Sequence, residues 1–269
     1  MRTWSVRHLV RAADLGRATD LGKRIAEDCR TVLGPGHLVT LEARAALGEA
    51  YLMAGDIGSA LTEFEQVLIG REQELGDKAL ETNTARNDLA AALGQLGRLD
   101  EAIALHKLSA ATRAEVLGPD DPDTLTSWSN LAFSYRMAER FGEAIDMGQR
   151  TVAARERVLG AFHPDTMVSR NNLGVTYMEA GRTAEAIAEH ERNLRDRRAA
   201  LTDDHPDTFY SMSNLARSYT AAGRHAEAIA LHEQTLRARE RVLGADHPDT
   251  VKSRGYLAAA RAESVTGGR

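Results

Sequence analysis

The stretch GAFHPDT at residues 160–166 recurs with one change as GADHPDT at residues 244–250, and this recurrence is the strongest indication of the fold. Its final threonine belongs to a series in which each member follows the last by 42 residues. The series is Thr40, Thr82, Thr124, Thr166, Thr208 and Thr250. A fixed period of this length is typical of a solenoid, in which one structural unit is stacked many times. Function therefore has to be sought on a repeated surface.

Other residue types keep the same spacing when each threonine is counted as position 0. Leucine occupies position 7, a small residue follows at 8, and tyrosine is the usual residue at 11. This spacing is one face of a helix, and we expect that helix, named helix A, to contain about 13 residues. Glycine at position 15 supplies the positive φ that ends a helix, and Glu139 is the exception among the full repeats.

A second apolar stripe follows in every full copy. It starts with alanine at position 20 and a leucine or isoleucine at 21, and in four of the five copies it ends in a Leu-Gly pair such as Leu159-Gly160. We expect a second helix of about 18 residues, named helix B, with Gly160 as a C-cap. The linker prolines then begin the next helix A, where a missing N–H costs nothing. These prolines are Pro122, Pro164, Pro206 and Pro248.

Two helices joined by a tight turn, with leucine, a small residue, tyrosine, glycine and alanine at these offsets, resemble the tetratricopeptide repeat. The 42-residue length, the Asn-Asn-Leu-Gly run at 171–174 and the His-Pro-Asp-Thr linker are similar to the longer variant of kinesin light chains, which is also common in bacterial proteins. The resemblance implies an all-α fold, a right-handed superhelix (α-solenoid) of antiparallel helix pairs. We expect about 13 helices, with helix A inside.

The repeat also predicts the domain organisation. Residues 1–39 are expected to be a degenerate N-terminal unit that acts as a cap, and residues 250–269 a C-terminal capping helix with a short tail. Caps are needed because a bare inner helix would expose its apolar face. Between them lie five units of equal length, at 40–81, 82–123, 124–165, 166–207 and 208–249.

Composition narrows the function classes. The net charge of −5 is small and interspersed, so we expect neither a nucleic-acid partner nor an anionic membrane surface. No run of 18 apolar residues occurs, and Cys29 is the single cysteine. One cysteine gives no disulfide framework, so we expect a cytoplasmic protein.

Motifs that carry chemistry are missing from the sequence. There is no phosphate-binding loop, no Gly-x-Ser-x-Gly elbow and no Cys-x-x-Cys pair. His190-Glu191 and His232-Glu233 begin like a zinc-protease helix, but Leu194 and Leu236 stand where the second histidine belongs. We therefore predict no catalytic residue, no metal site and no cofactor, and hence no enzyme. The histidines at position 24 are expected to pack between helices, and they are His106, His190 and His232.

The inner wall carries the sharpest functional signal. In the tetratricopeptide family, positions 2, 5, 6, 9, 12 and 13 of helix A line the concave groove. Position 6 is asparagine in three successive repeats, at Asn130, Asn172 and Asn214, and Asn171 adds another at position 5. A carboxamide both donates and accepts, so it can pair with any peptide unit. The alternative is that these asparagines bond the neighbouring helix and stiffen the stack.

Apolar and charged residues accompany the asparagines. Phe133, Val175 and Tyr210 are candidates to receive ligand side chains, with packing between repeats as the alternative. Arg136 and Arg217 complete the predicted peptide-binding groove. The inner-wall charge is expected to change from negative to positive along the chain, with an acidic ligand segment near Arg217. The acidic residues are Glu42, Glu49 and Asp88, and the later basic ones are Arg136, Arg217 and Lys252.

Two function classes follow. The first is a non-enzymatic interaction module that binds an extended peptide or a partner segment in the groove. The alternative is a ligand-gated regulatory domain of a bacterial signalling protein, in which a signal peptide changes what an effector does. Either class needs a protein or peptide partner, and the sequence sets no oligomeric state.

Overall fold

The computed structural model describes residues 2–266 of the chain, and side chains from 4 to 264. Every regular element over residues 2–266 is an α-helix. Thirteen helices follow one another: α1 Arg2–Arg11, α2 Leu15–Leu33, α3 Leu38–Met53, α4 Ile57–Leu75, α5 Leu80–Gln95, α6 Leu99–Val116, α7 Pro122–Met137, α8 Phe141–Leu159, α9 Pro164–Glu179, α10 Thr183–Ala200, α11 Pro206–Ala221, α12 His225–Leu243 and α13 Pro248–Thr266.

The helices form two compact units, Met1–Glu139 with α1 to α7 and Arg140–Arg269 with α8 to α13. In each of them, α-helices that are neighbours in sequence pack against each other as pairs. The all-α class is confirmed. The odd-numbered helices α3 to α11 contain 16 residues each, longer than the 13 expected, because helix A already begins in the linker before the threonine.

The helix ends follow from the linker residues. The prolines occupy the first turn of α7, α9 and α11, as predicted. The His163 ring caps α9, where Nδ1 accepts from the Asp165 N–H at 3.2 Å. Gly160 ends α8 with φ of 90°, so the predicted C-cap is confirmed. In the tight turn after helix A, Glu139 adopts φ of 56°, in the left-handed region that disfavours a side chain.

The threonine that sets the period is fully buried in all six copies. Thr40 Oγ1 donates to the Gly34 carbonyl at 2.8 Å, and Thr82 Oγ1 donates to the Gly76 carbonyl at 2.9 Å. Both carbonyls lie just past the end of the preceding helix B. Thr208 Oγ1 donates likewise to the Thr202 carbonyl at 2.9 Å, but Oγ1 of Thr124, Thr166 and Thr250 is buried without a partner. The burial of the threonine, and not this hydrogen bond, is therefore common to all six copies.

A buried arginine at position 31 is a second periodic element, which our sequence prediction missed. Each member donates to the backbone carbonyl of the residue just before the next threonine. Arg239 Nη1, for example, is 3.1 Å from the Asp249 carbonyl and 2.6 Å from Ser253 Oγ. The arginine therefore ties helix B to the following helix A. The five arginines are Arg71, Arg113, Arg155, Arg197 and Arg239.

Each unit has its own apolar core. Phe64 and Leu89 belong to the core of the first unit, and Leu173 and Leu215 to clusters in the second. The leucines at position 7 and the alanines at position 20 are buried, as their place in the two apolar stripes indicates. They include Leu131, Leu173, Leu215, Ala144, Ala186 and Ala228. The packed cores leave the A helices with one face directed away from helix B, and that face carries the predicted site.

Candidate functional site

We use the name helix-A surface for the side chains at positions 2, 5, 6, 9, 12 and 13 of the A helices. In the first unit, this surface includes residues of α5 and α7, which contact each other. In the second unit, it includes residues of α9 and α11, which also contact each other. Both pairs consist of consecutive A helices, and each residue of the first pair has a counterpart two repeats later in the second pair.

The first unit has a cavity of about 370 Å³ between α5 and α7, above α6. Its walls are formed by residues from all three helices, among them Asn87, Gly94, His106, Asn130, Phe133 and Met137. Positions 5, 6, 9, 12 and 13 of the repeat all contribute to this lining. The predicted residues Asn130 and Phe133 thus meet at one site. Asn87 and Gly94 lie there at the predicted groove positions 5 and 12, whereas His106 was predicted only to pack between helices.

The polar groups of this cavity include an unpaired amide. Asn87 Oδ1 is buried and has no hydrogen-bond partner. Over the described residues, no hydrogen bond joins Asn87 to Asn130. At the floor, His106 Nδ1 and Ser134 Oγ are 2.8 Å apart. Burial lowers the pKa of His106 to about 4, so its ring is neutral at neutral pH.

Phe133 and Met137 form an exposed apolar edge on α7. They are 51% and 46% exposed, which is high for side chains of this size. The Arg136 guanidinium lies 4.9 Å from the centre of the Phe133 ring, within the range of a cation–π interaction. Arg136 therefore covers one face of Phe133. Together with Asn130, these two residues are the predicted groove residues of the first unit.

In the second unit, the corresponding asparagines are bonded to each other. Asn214 Nδ2 on α11 donates to Asn171 Oδ1 on α9 at 2.8 Å. Arg217 Nη1 donates to Asn214 Oδ1 at 3.5 Å, at the limit of a hydrogen bond. For this pair, the interpretation as a bond between neighbouring helices is correct. Asn172, the third predicted asparagine, lies on α9 and is exposed.

Of the remaining groove residues of the second unit, Tyr210 has intramolecular contacts and Val175 is partly covered. Tyr210 Oη donates to Asp249 Oδ2 at 3.2 Å, and its exposed ring lies 5.3 Å from the Arg239 guanidinium. Val175 is half-buried. Near it, Met178 packs on the core that contains Leu173, and its sulfur is 3.9 Å from Ser218 Oγ.

The acidic residues expected at the start of the groove are largely compensated. Arg7 on α1 pairs with Glu42 at 2.8 Å and with Glu49 at 3.1 Å on α3. Asp88 is half-buried, and burial together with the nearby Glu49 raises its pKa to about 6. The predicted negative end of the helix-A surface is therefore weaker than a count of carboxylates indicates.

The pair closest to a catalytic dyad is His106 with Ser134. The pair recurs as His190 with Ser218, again at 2.8 Å and buried. Burial lowers the pKa of His190 to about 4 as well, and a base with such a pKa is poorly matched to work near pH 7. Recurrence and burial favour a packing role. Among the described side chains, no group of three or more His, Cys, Asp and Glu is placed to hold a metal ion.

No helix within the described residues is long and apolar enough to cross a membrane. The family models for the tetratricopeptide repeat match residues 40–78 and, in four overlapping segments, 81–157, 127–192, 165–241 and 210–264. These segments span most of the sequence. The chain belongs to the tetratricopeptide repeat family. Among curated proteins, no significant match is found.

Solved structures of the kinesin-light-chain type are similar to this chain. A Podosopora anserina protein with kinesin-light-chain TPR-like repeats is 26% identical, with a TM-score of 0.69 over 77% of this chain and 97% of that one. BtubC (BKLC) from P. vanneervenii is 25% identical, with a TM-score of 0.71 over 87% of this chain and 94% of BtubC. The quorum sensor NprR from B. thuringiensis is 12% identical with a TM-score of 0.66, over 96% of this chain and 67% of NprR, and shows the shared fold alone.

Proposed function

We propose that this chain is a non-enzymatic protein-interaction module that binds an extended peptide or partner segment along its helix-A surface. The observation that carries the proposal is the cavity between α5 and α7, where an unpaired asparagine oxygen lies beside exposed apolar side chains. A peptide offers both kinds of partner, since its backbone N–H can satisfy the amide and its side chains can cover Phe133 and Met137.

The asparagines make the binding tolerant of peptide sequence. Asn130 and Asn172 lie at the same repeat position on successive A helices, and an amide can pair with any backbone unit. Arg217 adds a positive group next to Asn214, so the proposal includes an acidic ligand segment there. It includes no nucleic-acid partner, no cofactor and no metal.

The test uses peptides selected by the wild-type chain from a displayed library of random peptides. Their affinity for the chain is then compared with that for a variant in which Asn130, Asn172 and Asn214 are all alanine. We expect a loss of at least about tenfold, because peptide groups lose their partners. Equal affinity for the two proteins, with the variant folded by circular dichroism, would rule out the helix-A surface.

The second candidate is the signal-peptide-sensing regulator. The fold shared with the quorum sensor NprR suggests this candidate, but a shared fold does not establish that the chain senses a peptide. A sensor of this kind changes shape on binding, whereas a plain interaction module changes little. Small-angle scattering with a selected peptide distinguishes them: a measurable fall in the radius of gyration favours the sensor, and an unchanged radius favours the module.

A further inference from the structure

The geometry of the cavity between α5 and α7 points to an anchor site for one methionine-type or leucine-type side chain of a bound peptide. This inference rests on the proposed function and adds which kind of ligand residue is held, and where. Three independent observations carry it: the uncharged lining, the way the chain fills the corresponding space two repeats later, and the unpaired oxygen of Asn87.

The lining excludes charged ligand groups. No Asp, Glu, Lys or Arg is among the residues that form the cavity, and His106 on its floor is neutral. A charged side chain placed there would lose water without gaining a partner of opposite charge, which is strongly unfavourable. Leu99, Phe133 and Met137 offer apolar contact instead, so an apolar side chain is the fitting occupant.

In the second unit, a side chain of the protein itself lies at the place that corresponds to the cavity. Gly94 lines the cavity, and a Cβ atom added to it would meet nothing within 4 Å. Two repeats later, its counterpart on α9 is Met178, whose sulfur lies 3.9 Å from Ser218 Oγ. Ser218 is the counterpart of Ser134, which lines the cavity of the first unit. A methionine side chain thus lies in the second unit where the first unit is open.

The same comparison assigns a role to Asn87. Its counterpart Asn171 accepts a hydrogen bond from the Asn214 amide at 2.8 Å, whereas Asn87 Oδ1 is buried without a partner. A buried polar atom without a hydrogen bond is unfavourable, and a ligand that supplies a donor removes the penalty. The donor that every peptide carries beside its side chain is the backbone N–H. The anchor residue is therefore held by its side chain in the cavity and by its N–H at Asn87.

The test starts from the peptides selected from the displayed random library by the wild-type chain. We expect them to share methionine or leucine at one position, and exchange of that residue for glycine to weaken binding at least about tenfold, as expected for a buried anchor. Gly94→Met should weaken binding to a similar degree, because it recreates the filled arrangement of the second unit. Gly58→Met is the matched control, since Gly58 is an exposed helix glycine of α4 with equally open space around it.

Asn87→Ala gives a second, independent measurement. It should weaken the selected peptides without lowering the melting temperature, because the native Asn87 oxygen has no partner to lose. Selected peptides that bind Gly94→Met as tightly as wild type, but lose affinity for the triple asparagine variant, would overturn the anchor site and leave the proposed function standing. A library that yields no binding peptide would count against both.

Discussion

In the first unit, Asn87 and Asn130 flank an open cavity, whereas in the second unit their counterparts Asn171 and Asn214 are joined by a 2.8 Å hydrogen bond. The helix framework around the two pairs is the same, with a histidine on helix B beneath each of them. The residues next to the asparagines differ. Asparagines at the same repeat positions are therefore bonded to each other in one unit and not in the other, and the neighbouring side chains account for the difference.

Among the lining positions that differ between the two units, three bear on the contacts of the second pair. Met178 replaces Gly94 and occupies space, and Arg217 replaces Phe133 and bonds Asn214. Below them, Gly174 replaces Ala90, and a Cβ at Gly174 would meet the His190 ring at 2.5 Å. Each change fills or tightens the second pair. The open pair is thus the part of the helix-A surface at which we propose that a ligand binds.

The largest expected effect tests whether the difference is confined to the surface. Leu89 and Leu173 are the position-7 leucines beneath the open and the closed pair, and both are buried. Leu89→Ala and Leu173→Ala should each reduce the free energy of unfolding by about 2 to 5 kcal/mol, because both leave a cavity in a core. Chemical denaturation measures this. A much smaller loss for Leu89→Ala would mean that the core beneath the cavity is itself loose.

Acid sensitivity should also be shared by the two pairs. The pKa values of His106 and His190 are both about 4, below the ordinary 6.5. Between these values the unfolded chain binds protons that the folded chain does not, so stability is lost as the pH falls from about 6.5 to about 4. Each histidine should contribute about 2 to 3 kcal/mol of this loss.

The measurement is the free energy of unfolding at pH 7 and pH 4.5 for wild type, His106→Gln and His190→Gln. Each variant should show a smaller loss on acidification than wild type. Asp88, with its pKa raised to about 6, acts in the opposite direction, because its folded form binds a proton between pH 6 and its ordinary pKa of 3.8. Asp88→Asn should accordingly steepen the acid loss. An unchanged pH dependence in His106→Gln alone would show that water in the cavity already solvates that ring.

A smaller effect is expected where the helix meets the buried histidine. A Cβ added at Gly174 would lie 2.5 Å from His190 Nε2, and the ring is held by its bond to Ser218. Gly174→Ala should therefore cost about 1 to 3 kcal/mol through overpacking. The reverse change in the open pair, Ala90→Gly, should cost only about 0.5 to 1 kcal/mol, the usual effect of glycine in a helix. Thermal unfolding of both variants checks the difference, and equal costs would remove Gly174 from the explanation.

Much of this arrangement could be predicted from the sequence. The threonine period predicted the repeat, because a residue that must be buried at every junction recurs at every junction. The glycine and proline positions predicted the helix boundaries, because glycine permits the positive φ at a helix end and proline fits the first turn. The arginine at position 31 was equally periodic, and its role went unnoticed because a buried arginine bonded to a carbonyl has no distinctive sequence signal.

The state of the asparagines could not be predicted in this way. Position 6 is asparagine in both pairs, and position 5 is asparagine in both as well. Whether the two amides meet depends on how two neighbouring helices pack, and the side chains there differ at several positions, among them Gly94 and Met178. These contacts depend on the packing between repeats, which the spacing of residues in the sequence does not reveal.

The smallest expected effect addresses the asparagines directly. Asn171→Ala removes the acceptor of the 2.8 Å bond and should reduce the free energy of unfolding by about 0.5 to 1.5 kcal/mol, the usual net value of a hydrogen bond. Asn87→Ala removes an oxygen that has no partner, so its stability should be unchanged or slightly higher. Both changes delete the same atoms from the same repeat position, and chemical denaturation under one set of conditions compares them. If Asn87→Ala destabilised the chain as much as Asn171→Ala, Asn87 would be bonded in solution and the first pair would be closed like the second. If it did not, Asn87 adds nothing to the stability of the fold, as the proposed peptide site requires.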